Sequence, residues 1–142
     1  ASCEKLSLAT QIAQADEFIN SKPEGLESEV AQAGANLSGG QKQRLSIARA
    51  MVKQPPIYIY DDSFSALDFK TDAALRKALK EYAASSTLLV VTQRVSTIKH
   101  AEQIVVLNEG EVVGKGSHQE LMETCPTYQE IALSQLSMEE LL

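Results

Sequence analysis

The residues Leu37, Ser38, Gly39, Gly40 and Gln41, followed at once by an amphipathic stretch, have the types and spacing to hold a phosphate. Ser38 is a helix N-cap residue, and Gln41, three positions on, completes a capping box. The N–H groups of Gly39 and Gly40 then lie at a helix start, where an anion can approach a backbone that has no Cβ and the helix dipole adds positive potential. A second group of chemical residues follows. Ile57 to Tyr60 is a short apolar run, entered through Pro55 and Pro56 and ending in Asp61 and Asp62. Such a run reads as a buried strand delivering carboxylates to its C-terminal edge, where ligands of parallel sheets bind. One carboxylate there can hold Mg²⁺, and a second can orient or deprotonate a water. Either feature alone also fits a plain capped helix or a solvated acidic turn. Together they point to a nucleotide.

An alternating α/β pattern after an all-helical beginning would position these groups. Leu8, Ile12, Ala15 and Ile19 recur at helical spacing and are followed by a loop around Ser21 to Gly25. Gln41 to Lys53 reads as a helix turning Leu45, Ala48, Met51 and Val52 inward, and Leu75, Ala78, Leu79 and Tyr82 stripe another. Thr87 to Thr92 is a second apolar strand. Gln103 to Leu107 and Glu111 to Lys115 bracket a hairpin turn at Asn108, Glu109 and Gly110. Ser117 with Glu120, and Thr127 with Glu130, have capping-box spacing and would open the last two helices. Gly110 to Ser117, reading GEVVGKGS, superficially resembles a phosphate-binding loop. Its glycines are one residue too close, Lys115 precedes Gly116, and it falls in the hairpin.

Composition narrows the classes of function. The 142 residues suffice for one modest domain, and a net charge of −6 argues against a nucleic-acid-binding surface. Lys42, Arg44, Arg49 and Lys53 fall mostly on an exposed helix face. Cys3 and Cys125 match no metal spacing and suggest free thiols in a reducing compartment. No apolar stretch approaches the length of a membrane helix, and no targeting signal is visible. His100 and His118 read as surface positions. Leu133, Leu136, Met138, Leu141 and Leu142 make an apolar tail expected to dock on the core.

Three segments, LSGGQKQRLSIARAM at Leu37 to Met51, IYIYDDSFSALD at Ile57 to Asp68 and LLVVTQR at Leu88 to Arg94, resemble in order and spacing the signature motif, the Walker B strand with its D-loop, and the switch strand of an ABC transporter ATPase domain. IVVLNEGEVVGKGSHQEL at Ile104 to Leu121 resembles the hairpin and helix that follow in exporters. The resemblance covers essentially the whole chain. It implies a partial P-loop NTPase (RecA-like) α/β fold, a parallel sheet with an N-terminal α-helical signature subdomain at 1–54 and the C-terminal part of the RecA-like core at 55–142. It also implies ATP and Mg²⁺ as cofactors in the complete domain. Leu37, Ser38, Gly39, Gly40 and Gln41 would touch ATP held by a second ABC ATPase domain. Asp61 would serve the metal of its own site, Asp62 and Gln93 would occupy the catalytic positions, and Asp68 in the D-loop would couple the two sites. Gln43, Arg44 and Arg49 are assigned surface or positioning roles, and Leu67 packing.

Departures from the family pattern shape the expectation further. Asp62 stands where active members carry Glu and Gln93 where they carry His, while Gln32 replaces a frequent Glu before the signature. A shorter acid misplaces a water, and Gln cannot become cationic. With an intact LSGGQ, this resembles the degenerate-site subunit of a heterodimeric multidrug-type exporter. A non-catalytic regulatory half and a chromosome-maintenance or DNA-repair ATPase head are the alternatives. The latter normally carries coiled coils and basic surfaces. The parent protein would be integral to the membrane, with this soluble part on its cytoplasmic face and a transmembrane domain in the same chain. No Walker A loop precedes the signature within these residues, so the isolated chain is expected neither to hold ATP tightly nor to hydrolyse it. Its sheet edges, at Leu88, Val90, Ile104 and Val106, are expected to drive self-association.

Overall fold

In the N-terminal part of the chain, helices pack on one face of a parallel pair of strands. A computed structural model describes residues 1–139, and side chains through residue 135. Packing divides the chain into two units, Ala1–Val91 and Thr92–Leu142. The division expected at residues 54 and 55 concerns the organisation of a parent domain and falls inside the first unit.

In the first unit, α1 (Cys3–Ile12) is capped by Ser2 and followed by α2 (Asp16–Asn20), not continued as one helix. Gln14 takes a left-handed conformation (φ 57°), the Ala15 N–H bonds to the Thr10 carbonyl at 2.8 Å and the Gln14 N–H to the Gln11 carbonyl at 3.0 Å. This is a Schellman ending without its usual glycine. It breaks the expected stripe, leaving Ile12, Ala15 and Ile19 buried but Leu8 exposed. Two short 3₁₀ turns lead to α3 (Gly39–Val52), whose buried residues are Ile47, Ala48 and Met51. Leu45 and Val52 are only half-buried at its margin.

The strands β1 (Ile57–Asp61) and β2 (Thr87–Val91) pair in parallel, with Ile57 opposite Thr87 and Asp61 opposite Val91. Between them runs α4 (Phe69–Tyr82), which buries Leu75 and Leu79 and also Asp72, paired to Arg76 at 3.1 Å. Strand residues alternate between faces. Tyr58 and Tyr60 therefore turn inward together, with ring centroids 5.9 Å apart, and Phe64 meets Tyr60 edge-on. The other face is bare: Ile59 is 67% exposed and Leu89 54%. The expectation of a buried strand therefore holds for one face only, because helices cover only one face of this pair.

In the second unit, a single turn of helix, α5 (Val95–Ile98), precedes the hairpin of β3 (Ile104–Asn108) and β4 (Glu111–Gly116). Glu109 and Gly110 form its two-residue turn, both with positive φ (49° and 83°), as the twist of a tight hairpin requires. A side chain at position 114 would come within 2.7 Å of the Cys125 sulfur, so Gly114 allows close packing of α6 (His118–Thr124). Ile104 and Val106, expected at an open edge, are buried with Leu121, Cys125 and Tyr128. Their alternates Val105 and Leu107 are the exposed ones. Ser117 and Glu120 form the expected capping box, but α7 begins at Pro126, which places Thr127 within the helix. Proline at a first helical position sacrifices no hydrogen bond, and the Cys125 carbonyl accepts the Gln129 N–H at 3.0 Å. Of the apolar tail, Leu133 is exposed; Leu141, Leu142 and the side chains of Leu136 and Met138 lie outside the described residues.

Candidate functional site

The start of α3 is organised by its own sequence. The Ser38 hydroxyl accepts the Gln41 N–H at 3.2 Å, and Gln41 Oε1 accepts the Ser38 N–H at 2.9 Å. This reciprocal cap leaves the glycine N–H groups at a helix start without intrahelical partners. Ser38 and Gly39 are exposed, and Leu37, Gly40 and Gln41 half-buried. Gly40 has a second reason to be glycine. A Cβ there would stand 3.0 Å from the Ala66 carbonyl oxygen, in the turn that follows β1.

That turn holds the acids. Asp61 ends β1 and is exposed, with its carbonyl accepting the Ser63 hydroxyl at 3.2 Å. Asp62 leaves the strand in the left-handed region (φ 46°). Asp and Asn tolerate this region better than most side chains, yet it still needs support. The Asp62 N–H donates to the Val91 carbonyl at 2.9 Å, and its own carbonyl accepts the Ser65 hydroxyl at 3.0 Å and Gln43 Nε2 at 3.1 Å. Gln43 Nε2 also reaches Ser65 Oγ at 3.0 Å, and Gln43 Oε1 accepts the Ala66 N–H at 2.9 Å. Phe64 and Leu67 anchor the turn in the core. Asp68 then caps α4: its carboxylate accepts the Thr71 N–H at 3.0 Å and the Thr71 hydroxyl at 2.7 Å. The backbone bond first, and the hydroxyl second, hold its carboxyl below the ordinary carboxylate range.

In the second unit, Gln93 follows β2 with an exposed side chain. Its carbonyl accepts Gln135 Nε2 at 2.5 Å, while Gln135 Oε1 accepts the Val95 N–H at 2.8 Å. The Thr92 hydroxyl accepts the Arg94 N–H at 3.1 Å.

Within the first unit, then, the structure brings together the signature turn, the turn carrying Asp61 and Asp62, and Gln43. Sequence reasoning gave Gln43 no defined contact and missed Gln135, because a side chain bonding backbone 19 or 42 residues away leaves no local pattern. Two surface assignments need correction. Arg44 is half-buried, bonding the Gln14 carbonyl at 2.5 Å and stacking 4.8 Å from the Phe18 ring, where its cation meets the π face. His118 is half-buried, with Nδ1 2.8 Å from the Tyr128 hydroxyl. An apolar cleft of about 390 Å³ beside α3, lined by Phe18, Leu26, Val30, Leu37 and Leu45, contains none of the acids.

Among the described residues no three His, Cys, Asp or Glu side chains cluster as a metal site. One exposed carboxylate at a strand end nevertheless fits Mg²⁺, which takes one or two carboxylates and fills its remaining positions with phosphate and water. Asp61 meets that description.

A capped, glycine-bearing helix start beside acids at the C-terminal edge of a parallel strand is an arrangement that phosphate-binding α/β proteins use. Comparison with known proteins specifies the family. Residues 5–65 match the model of the ABC transporter family. An "Uncharacterized ABC transporter ATP-binding protein" of Mycobacterium tuberculosis is 48% identical over 127 residues, which is 89% of this chain and 22% of that protein. The "ATP-dependent lipid A-core flippase" of Legionella pneumophila is 46% identical over 123 residues, covering 87% of this chain and 21% of the flippase. The solved structure of a bacterial Atm1-family ABC exporter with ATP bound superposes with a TM-score of 0.92 at 36% identity, over 96% of this chain and 24% of that one. The chain belongs to the ABC transporter ATP-binding domains of exporter type and carries part of their P-loop NTPase fold. It spans 21% to 24% of the length of these relatives.

Proposed function

We propose that this segment serves ATP-driven export in a longer membrane protein by completing an ATP site held mainly by a second ABC ATPase domain. Leu37 to Gln41 contribute the partner-facing signature, Ser38 and the glycine N–H groups meeting phosphate. Asp61 serves Mg²⁺ of the chain's own site, where the ion supplies charge neutralisation at the phosphates, and Asp68 couples the two sites. Residues 1–54 act as the helical signature subdomain and residues 55–142 as part of the RecA-like core, on the cytoplasmic face of the membrane.

The chain's own site is the weaker one. Asp62 is one methylene shorter than glutamate, and Gln93 offers no proton to exchange. An error of about 1 Å at such a position costs roughly a hundredfold in rate. The observation that carries this reading is the contrast within one chain between an intact signature cap and the Asp62 and Gln93 pair. It favours pairing with a different half whose own acid and switch residues are complete. The isolated segment, having no phosphate-cradling loop, neither binds ATP tightly nor turns it over. Its bare apolar sheet face, Ile57, Ile59, Leu89 and Val91, supports self-association in isolation.

The test is ATP turnover by the full-length parent, alone and mixed with a complementary half. Activity only in the mixture supports the heterodimer, and brisk activity alone refutes it. In the mixture, Asp62→Glu with Gln93→His is expected to raise turnover. The same Asp62 and Gln93 pair also favours a second reading, a regulatory half that binds nucleotide without turnover. The mixture would then bind ATP and remain inactive.

A further inference from the structure

We propose that Gln43 is a positioning residue that registers the signature turn against the Asp62–Ala66 turn, so that the surface offered to a partner's nucleotide is held in place by the chain's own acid-bearing loop. The inference rests on the composite-site reading above and names the device that sets its geometry.

The Asp62 turn is tied on three sides. Its N–H is bonded to β2 through Val91, Phe64 packs in the core at 2% exposure, and Ser65 closes the turn onto the Asp62 carbonyl. The signature turn is anchored more lightly: Ser38 and Gly39 are exposed, Leu37 is half-buried with its N–H on the Gly34 carbonyl at 3.0 Å, and the cap made by Ser38 and Gln41 is internal to that turn. Two features join the parts. The first is the close approach of Gly40 to the Ala66 carbonyl. The second is the Gln43 amide, which donates to the Asp62 carbonyl and Ser65 Oγ and accepts from the Ala66 N–H. A planar amide that satisfies a carbonyl and an N–H four residues apart in one turn fixes position along two directions. Gln43 lies in the first turns of α3, two residues beyond Gln41, so what it fixes is the helix start itself. Asp62 takes part through its backbone. The proposed role therefore does not depend on the Asp62 carboxylate, which agrees with a site whose own acid is weak.

The experiment uses the full-length parent with its partner half and compares Gln43→Ala, Gln43→Glu and Ser38→Arg by steady-state turnover, normalised to the protein that binds nucleotide. Gln43→Glu keeps an acceptor for Ala66 but has no N–H for the Asp62 carbonyl. Both Gln43 variants are expected to lower kcat about tenfold with the KM for ATP within about twofold, the pattern of a displaced catalytic surface. The loss should persist when each is combined with Asp62→Asn. Normalised kcat within about twofold of the parent in Gln43→Ala overturns the proposal. So does a loss that disappears in the Asp62→Asn background, since Gln43 would then act through the carboxylate. If Gln43→Ala fails to fold, Gln43→Glu carries the same criteria. Ser38→Arg judges the underlying reading separately: unchanged turnover there refutes signature donation whatever Gln43 does.

Discussion

The turns after β1 and β2 carry Asp62 and Gln93, and each is held by a glutamine from a distant helix. Gln43 of α3 reads the Asp62 carbonyl and the Ala66 N–H; Gln135 of α7 reads the Gln93 carbonyl and the Val95 N–H. The supports beneath them differ. The Asp62 turn is anchored in a hydrophobic core by Phe64 and Leu67 and holds a left-handed residue. The Gln93 turn has an exposed side chain at its centre and is held through Gln135 and the Thr92 hydroxyl. Both turns share a side-chain amide, and only the Asp62 turn adds to it a buried aromatic and aliphatic footing.

The largest test of this contrast is Phe64→Ala. Removing a fully buried aromatic should cost about 3–5 kcal/mol, read by urea unfolding of the full ATPase domain. A cost under about 1 kcal/mol would mean that the core does not anchor the Asp62 turn. Next is Asp62→Val, which forces a β-branched residue into the left-handed region and should cost about 1–2 kcal/mol, while Asp62→Gly should be neutral or stabilising. Equal effects would remove backbone strain from the account. For the Gln93 turn, Gln135→Ala should cost only about 1 kcal/mol, one or two hydrogen bonds, yet raise amide exchange at Val95. Unchanged exchange would show that Gln135 does not hold it.

The smallest effect concerns Asp68. Its carboxyl is held low in the folded chain by the Thr71 bonds, so its contribution to stability is present above the unfolded carboxylate value and is lost as pH falls through the folded one. Asp68→Asn should flatten that acidic limb of a stability-versus-pH curve. An unchanged limb would count against the cap.

Features written in neighbouring residues were legible in the sequence. The Ser38 and Gln41 cap, the Ser117 and Glu120 cap and the hairpin at Glu109 and Gly110 follow from contacts within a few positions, and β1 and β2 each show as a short apolar run. The break at Gln14 was not, because the left-handed ending occurs without glycine and is held by the long-range bond from Arg44. The bare face of β1 and β2 was hidden for another reason. Ile57 and Ile59 are as apolar as residues of a strand covered on both sides, and their type does not say whether a cover is present. The acids and signature residues of the candidate site were legible as types. Their mutual support through Gln43 was visible only in three dimensions.

The central claim is that this chain donates a working signature while its own acid contributes little. Turnover of the full-length complex carrying Ser38→Arg, set beside the same complex carrying Asp62→Asn, tests it most directly, since Asn tolerates the left-handed backbone and alters only the carboxylate. The account predicts that Ser38→Arg abolishes turnover and Asp62→Asn leaves most of it. Loss of activity with Asp62→Asn and its survival with Ser38→Arg would contradict the account.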